Sequence, residues 1–234
     1  MIKNYNIVIT GTSRGIGLKL AKKFLNNGNY VWGCSKQKIK INNKKYFHTK
    51  LNLTKDKEVK KWIEKIEKES KKKIDIFIFN AAIYESCLNI LDNNRSIYKT
   101  IETNLIAPIF ITSLVSRIMI KKKYGTIIFF SSAASILNDI GTSTYASSKS
   151  GLETFSSILK KELEIFNIKV FVLRILYIKT RLSKKLKNDQ VRNLKNKFKS
   201  NILGSVDKIY SQICKIDNSK NNLNKILISD GKNK

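Results

Sequence analysis

A strict alternation of short apolar runs with amphipathic stretches constrains this chain more than any other feature. The runs YNIVIT (5–10), YVWGCS (30–35), KYFHTKL (45–51), IDIFIFN (74–80), GTIIFFSS (125–132), KVFVLRI (169–175) and KILIS (225–229) are rich in β-branched and aromatic residues. They read as seven strands. Helical patterns fall between them, at about 15–27, 55–70, 95–122, 143–166 and 206–216. In the second of these, Val59, Trp62, Ile63 and Ile66 recur at helical spacing. Strands that alternate with helices predict an α/β fold, a doubly wound parallel sheet with helices on both faces. The 234 residues, 42% of them hydrophobic, suffice for one such domain over 1–234.

In this fold class ligands sit beyond the carboxyl ends of the strands. The chemistry-bearing residues cluster there. VITGTSRGIGLKLAKKF (8–24) places Gly11, Gly15 and Gly17 between the first strand and its helix. Such a turn either seats a phosphate at the helix N-terminus or merely joins strand to helix. Asn80, Ser131, Ser132 and Thr180 also follow predicted strand ends.

The stretch SSAASILNDIGTSTYASSK (131–149) sets Tyr145 and Lys149 four apart on a helix, so the two share a face. A free tyrosine, with a pKa of about 10, is a poor acid–base catalyst at neutral pH. A neighbouring ammonium is expected to lower that value, letting the phenol exchange a proton with a substrate oxygen. Ser132, thirteen residues before Tyr145, is expected to hold the same oxygen. Asn104 lies four residues before Pro108, the only proline. Proline cannot bond the carbonyl of residue 104 within a helix, which leaves that carbonyl for a water; alternatively Pro108 simply starts or kinks a helix.

A TGxxxGxG turn, a serine after the fifth strand and a Tyr-x-x-x-Lys thirteen residues on together resemble the short-chain dehydrogenase/reductase family. The similarity extends over nearly the whole chain, through ISDG (228–231). Among its members the chain looks most like 3-oxoacyl-(acyl-carrier-protein) reductases. The resemblance implies a Rossmann-type fold with Asn104, Ser132, Tyr145 and Lys149 as catalytic residues. It implies a nicotinamide cofactor held by Gly11, Ser13, Arg14, Gly15, Ile16, Gly17, Ser35, Lys36, Asn52, Leu53, Asn80, Ala81, Tyr145, Lys149 and Thr180. The second strand ends in GCSKQK, without the carboxylate that bonds the ribose of NAD. Lys36 and Arg14 are placed to meet a 2′-phosphate, so the expected cofactor is NADPH; otherwise both merely belong to a lysine-rich surface. Three positions depart from the family: Asn52 for an aspartate, Ala82 for a glycine, and Ile175-Leu176 for Pro-Gly beside the nicotinamide. The last pair is expected to reshape the pocket or slow turnover.

A net charge of +29 favours anionic partners, or reflects an abundance of Lys, Asn and Ile with no functional meaning. The basic segment from about 183 to 203, with Lys184, Lys185, Lys187, Arg192, Lys195, Lys197 and Lys199, falls where relatives carry a substrate lid. It is expected to be helical but weakly anchored. It either docks an acidic carrier protein or is a solvated helix. The expected substrate is therefore a small-molecule or carrier-bound carbonyl, with no specific nucleic acid partner. The competing readings are a cofactor-binding protein with little turnover, and nucleic-acid binding through the basic surface. The resemblance also implies a homo-oligomer, a dimer or tetramer, built through helices at about 103–122 and 143–166. There Leu152, Phe155, Leu159 and Leu163 either join subunits or pack on the sheet. Cys34, Cys87 and Cys214 fit neither zinc spacing nor a disulfide framework, and His48 alone builds no triad. No metal is expected. With no apolar run of about 18 residues and no leader pattern, a cytoplasmic chain without a membrane span is expected.

Overall fold

A computed structural model describes residues 2–71, 73–178, 180, 182–198, 204–218 and 225–228. Seven strands form one parallel sheet: β1 (Asn6–Thr10), β2 (Tyr30–Ser35), β3 (Tyr46–Lys50), β4 (Ile76–Phe79), β5 (Gly125–Ser132), β6 (Ile168–Ile175) and β7 (Lys225–Ile228). Their spatial order is β3-β2-β1-β4-β5-β6-β7, and every neighbouring pair is parallel. The order reverses between β1 and β4, and a crevice opens there above the strand ends.

Because successive side chains of a strand point to opposite faces, each strand feeds two cores. Ile7, Ile9, Ile76, Ile78, Ile128 and Phe130 pack under helices α1 (Gly15–Asn26) and α8 (Val206–Asn218). Val8, Phe77, Phe79, Ile127 and Phe129 pack under α2 (Asp56–Glu69), α4 (Ala107–Lys122) and α6 (Ser143–Glu164). Burial on both faces explains why the strands read as continuous apolar runs. Val59, Trp62, Ile63 and Ile66 form the buried stripe of α2, as their spacing predicts.

Leu152, Leu159 and Leu163 are buried in that second core. Of the two alternatives for α6, they therefore pack on the sheet. Ile158, more than half exposed, marks the outward side of α6.

Residues 94–122 run as one helical stretch: α3 (Asn94–Ile101), a π-helical turn at Glu102–Ile106, then α4. The Asn93 side chain caps its start, accepting from Ser96 N at 2.9 Å. By length and composition this stretch is apolar enough to span a membrane, but 56% of its most apolar window is buried inside the fold. The stretch holds no uninterrupted apolar run of about 18 residues, because Thr103, Asn104, Ser113, Ser116 and Arg117 break the succession of apolar side chains.

Candidate active site

The glycine turn rises from β1 into α1. Gly11 has φ +76°, and a Cβ there would come 2.9 Å from Ala81 Cα. A Cβ at Gly17 would collide with Gly11 O and the Asn80 amide. Gly17 is therefore needed for close packing; it lies behind the cleft wall rather than in it, unlike the other predicted members of the turn. Asn80 braces the turn, its Nδ2 donating to Thr10 O at 2.8 Å and Gly11 O at 3.1 Å.

Helix α1 begins with no side-chain cap and no acid in its first turn. Its first N–H groups therefore face the cleft as a site for an anion. Gly11, Ser13, Arg14, Gly15, Ile16, Ser35, Lys36, Asn52, Leu53, Asn80, Ala81 and Thr180 line one cavity of about 400 Å³ there. The Thr103 hydroxyl on the same wall is buried without a partner among the described residues. These features fit a dinucleotide: an uncapped helix end and two cations for its phosphates, and a hydroxyl waiting for a polar group. Asn52 lines the cleft from the loop after β3. Its Oδ1 already accepts from Thr54 N at 3.4 Å and Thr54 Oγ1 at 3.3 Å, so it turns back on its own loop. Ala82 lines the cleft without a left-handed backbone, which explains why glycine is dispensable there.

The cleft continues past Ile16, Asn80, Ala82 and Thr180 into a second cavity of about 120 Å³. Ser132, Tyr145 and Lys149 line it together. Lys149 Nζ donates to Phe130 O at 2.8 Å and lies 6.0 Å from the Tyr145 ring centre. Asn104 sits just behind: its Oδ1 accepts from Ile83 N at 2.9 Å, and its Nδ2 donates to Ile83 O at 2.9 Å and Ser148 Oγ at 3.2 Å. It lies within the π-helical turn, whose widened bonding ends just before Pro108. Proline at the start of α4 thus marks a change of helical pitch rather than a gap inside a regular helix.

Protonation differs from the sequence expectation. Burial pushes the Tyr145 phenol up to about 12, against the opposing pull of its hydrogen bond with Ser132. Burial also draws the Lys149 ammonium down to about 8, while the Glu153 carboxylate raises it. The expected lowering of the tyrosine fails in this geometry. Desolvation outweighs an ammonium that is turned toward a carbonyl.

Ile175 and Leu176 line the reacting end of the cleft. β6 simply continues through Ile175, whose carbonyl accepts from Ala133 N at 3.1 Å, and Leu176 packs on Ala133 and Leu194. They form an apolar floor for the reacting end.

Helix α7 (Asn188–Phe198) covers that end, and its anchoring is firmer than the sequence suggested. Buried Gln190 accepts from Tyr84 Oη at 2.9 Å, and the Tyr84 ring meets that of Tyr145 edge-on with centres 4.8 Å apart. Lys185 Nζ reaches Glu85 at 3.2 Å, and Asn193 Nδ2 donates to Asp139 at 2.7 Å. The side chains of Lys184 and Lys195, residues 199–203 with Lys199, and residues 229–231 lie outside the described residues. Sequence reasoning missed Tyr84, Gln190, Thr103 and the Glu153–Arg174 pair. Only an uncharacteristic buried-face acid, Glu153 on the apolar side of α6, gave a readable signal.

The sequence profile described as short chain dehydrogenase matches residues 5–191. A 3-oxoacyl-(acyl-carrier-protein) reductase of Buchnera aphidicola subsp. Schizaphis graminum is 30% identical over 224 residues, covering 94% of this chain and 92% of the relative. The Buchnera aphidicola subsp. Acyrthosiphon pisum enzyme of the same name is 36% identical over 211 residues, covering 86% and 83%. Among solved structures, ElxO with NADP bound superposes with a TM-score of 0.82 at 23% identity, over 96% of both chains. A short chain dehydrogenase from Leptospira borgpetersenii serovar Hardjo-bovis with bound NAD+ gives 0.84 at 18% identity, over 98% of this chain and 93% of that one. These two likenesses concern the fold, and one protein holds NADP while the other holds NAD+.

Proposed function

From the premise that the chain belongs to the short-chain dehydrogenase family, a family of nicotinamide-dependent oxidoreductases, we propose that it is an NADPH-dependent carbonyl reductase acting on 3-oxoacyl thioesters. One observation carries this reading: Ser132, Tyr145 and Lys149 line the end of a cleft whose other end is an uncapped helix flanked by Arg14 and Lys36. Gly11, Ser13, Gly15 and Ile16 hold the pyrophosphate side, Arg14 and Lys36 the 2′-phosphate, and Ser35, Leu53, Ala81 and Asn80 the walls. Tyr145, Lys149 and Thr180 border the nicotinamide end. When bound there, a reduced nicotinamide would supply the hydride that a substrate carbonyl carbon takes up.

The chain's own residues handle the proton. Ser132 holds the carbonyl oxygen, and Tyr145 donates its phenolic proton to it. A phenol held at about 12 is fully protonated at neutral pH, so its proton is available to the oxygen of a carbonyl that receives a hydride. Lys149, still mostly charged at pH 7, steadies the phenolate that remains. Asn104 ties the loop after β4 to α6 and keeps the helix that carries both groups in place. Residues 183–198 act as a lid on a single cofactor-binding domain, and the exposed Lys185, Lys187 and Lys197 suit an acidic carrier. The outward faces of α3, α4 and α6, with Tyr98, Ile109 and Ile158 exposed, suit assembly with a second copy.

The test is oxidation of NADPH and NADH, supplied separately, with a carbonyl panel that includes acyl thioesters. Reduction with NADPH is expected, and Tyr145→Phe is expected to lower kcat by about 10²–10⁴-fold, with a much smaller change in the cofactor Kd. Cofactor binding without turnover of any carbonyl would instead favour a non-catalytic binding protein, and an equal rate with NADH would reject the cofactor assignment.

A further inference from the structure

Directly behind the reacting end lies a buried charge cluster that this chemistry does not use. Glu153 follows Lys149 by one turn of α6, and its side chain is 6% exposed. Its Oε1 accepts from Ser131 Oγ at 2.7 Å and Arg174 Nε at 3.0 Å, and its Oε2 accepts from Arg174 Nη2 at 2.6 Å. The Ser135 hydroxyl lies 2.8 Å from both Glu153 Oε1 and Ser132 O. Arg174 stands on β6 opposite Ser131 of β5. One carboxylate therefore ties α6, the end of β5, the short helix α5 (Ala134–Leu137) that follows it and β6 into a single corner. That corner presents Ser132.

A buried ion pair is a poor device for stability alone. Its desolvation cost offsets much of the attraction, and apolar side chains of similar volume commonly serve as well. Its use here is better sought in placement. We propose that Glu153, clamped by Arg174, is a positioning residue for the reduction: it fixes the corner carrying Ser132 and holds a negative charge one turn of α6 from Lys149. The proposal rests on the catalytic reading given above.

The surroundings of Lys149 support the electrostatic part. Tyr145 and Glu153 face it from α6, Arg174 stands behind Glu153 on β6, and β5 offers the Phe130 carbonyl and the Ser131 and Ser132 hydroxyls. Tyr84 and Asp139 line the same cavity. Glu153 is the acid whose field opposes the desolvation of the ammonium. The geometric part stands on the four hydrogen-bonding contacts at Glu153.

Glu153→Gln alone leaves Arg174 buried and unpaired, which risks unfolding. The decisive variant is therefore Glu153→Gln/Arg174→Gln, which removes both charges, keeps the shape of the Glu153 side chain and leaves an amide able to hydrogen-bond at position 174. The titration of Lys149 is followed by NMR in 13C-lysine-labelled protein, its signal assigned by its loss in Lys149→Met. In the double variant the Lys149 midpoint is expected to fall below its wild-type value, the alkaline limb of kcat to move to lower pH with it, and kcat to drop on the order of 10–100-fold. A wild-type midpoint together with a wild-type kcat would overturn the proposal and leave the pair a packing element. Glu153→Asp/Arg174→Lys keeps both charges but shortens the clamp. Here the Lys149 midpoint should stay at its wild-type value while kcat falls, and an unchanged kcat would reject the geometric role. If the wild type reduced no carbonyl, the catalytic reading would fail, and the NMR titration would still decide whether Glu153 sets the charge of Lys149.

Discussion

At Tyr145 two effects oppose each other, and their balance depends on burial rather than on spacing. Four residues of helix bring an ammonium near a phenol, but both groups are buried and desolvation disfavours both charged forms. The phenol remains an acid ready to give its proton. The other informative single residue is Lys36, exposed at the rim of the cofactor cleft beside Ser35. A charge-assisted contact to a phosphate is worth about 1.5–3 kcal/mol. Lys36→Asp is therefore expected to weaken NADPH binding by about one to two orders of magnitude and to leave NADH binding nearly unchanged or improved, as read from fluorescence titration with each cofactor. Equal losses for both would show that Lys36 does not meet a 2′-phosphate.

Among elements, the β1–α1 turn has the least freedom. Gly17 is packed so closely on Gly11 O and Asn80 that a methyl group cannot enter without moving backbone. Gly17→Ala is expected to cost about 1–3 kcal/mol, seen as a lower Tm, and to weaken cofactor binding because Gly11 would be displaced. A variant with normal Tm and normal Kd would show that the turn yields easily. The π-helical turn at Glu102–Ile106 is a different kind of element. It sets Thr103 in the cofactor wall and Asn104 between the β4 loop and α6, two directions that a regular helix would serve less well. β6 is a third case. Where a Pro-Gly pair would end the strand, Ile175 continues the ladder opposite Ser132, and Leu176 closes the floor beneath α7.

Across the whole molecule, Lys149 links the site to stability. Its value falls from 10.5 to about 8 on burial, so folding favours loss of its proton. Its contribution to stability is present above the unfolded value and is lost as pH falls through about 8, a difference of about 3 kcal/mol. The Tm of wild type minus that of Lys149→Met should therefore rise as pH increases from about 8 to about 10.5. A flat or falling difference would mean that the ammonium is not desolvated. The comparison with Lys149→Met is needed because a chain of net charge +29 also gains stability at high pH from reduced self-repulsion.

The sequence by itself determined the seven strands, their parallel pairing and many of the residues that line the cleft beside the glycine turn, but few of those around the reacting end. Strand runs buried on two faces and helical stripes are local patterns, and the glycine turn, Ser132 and the Tyr145–Lys149 spacing act through neighbours a few residues away. It did not determine the protonation of Tyr145, the anchoring of the lid or the Glu153–Arg174 clamp. Tyr84 meets Gln190 and Glu153 meets Arg174 across long loops of chain, and the pKa values follow from desolvation. Both depend on which groups the assembled sheet and helices shut away from water, and only the tertiary structure decides that.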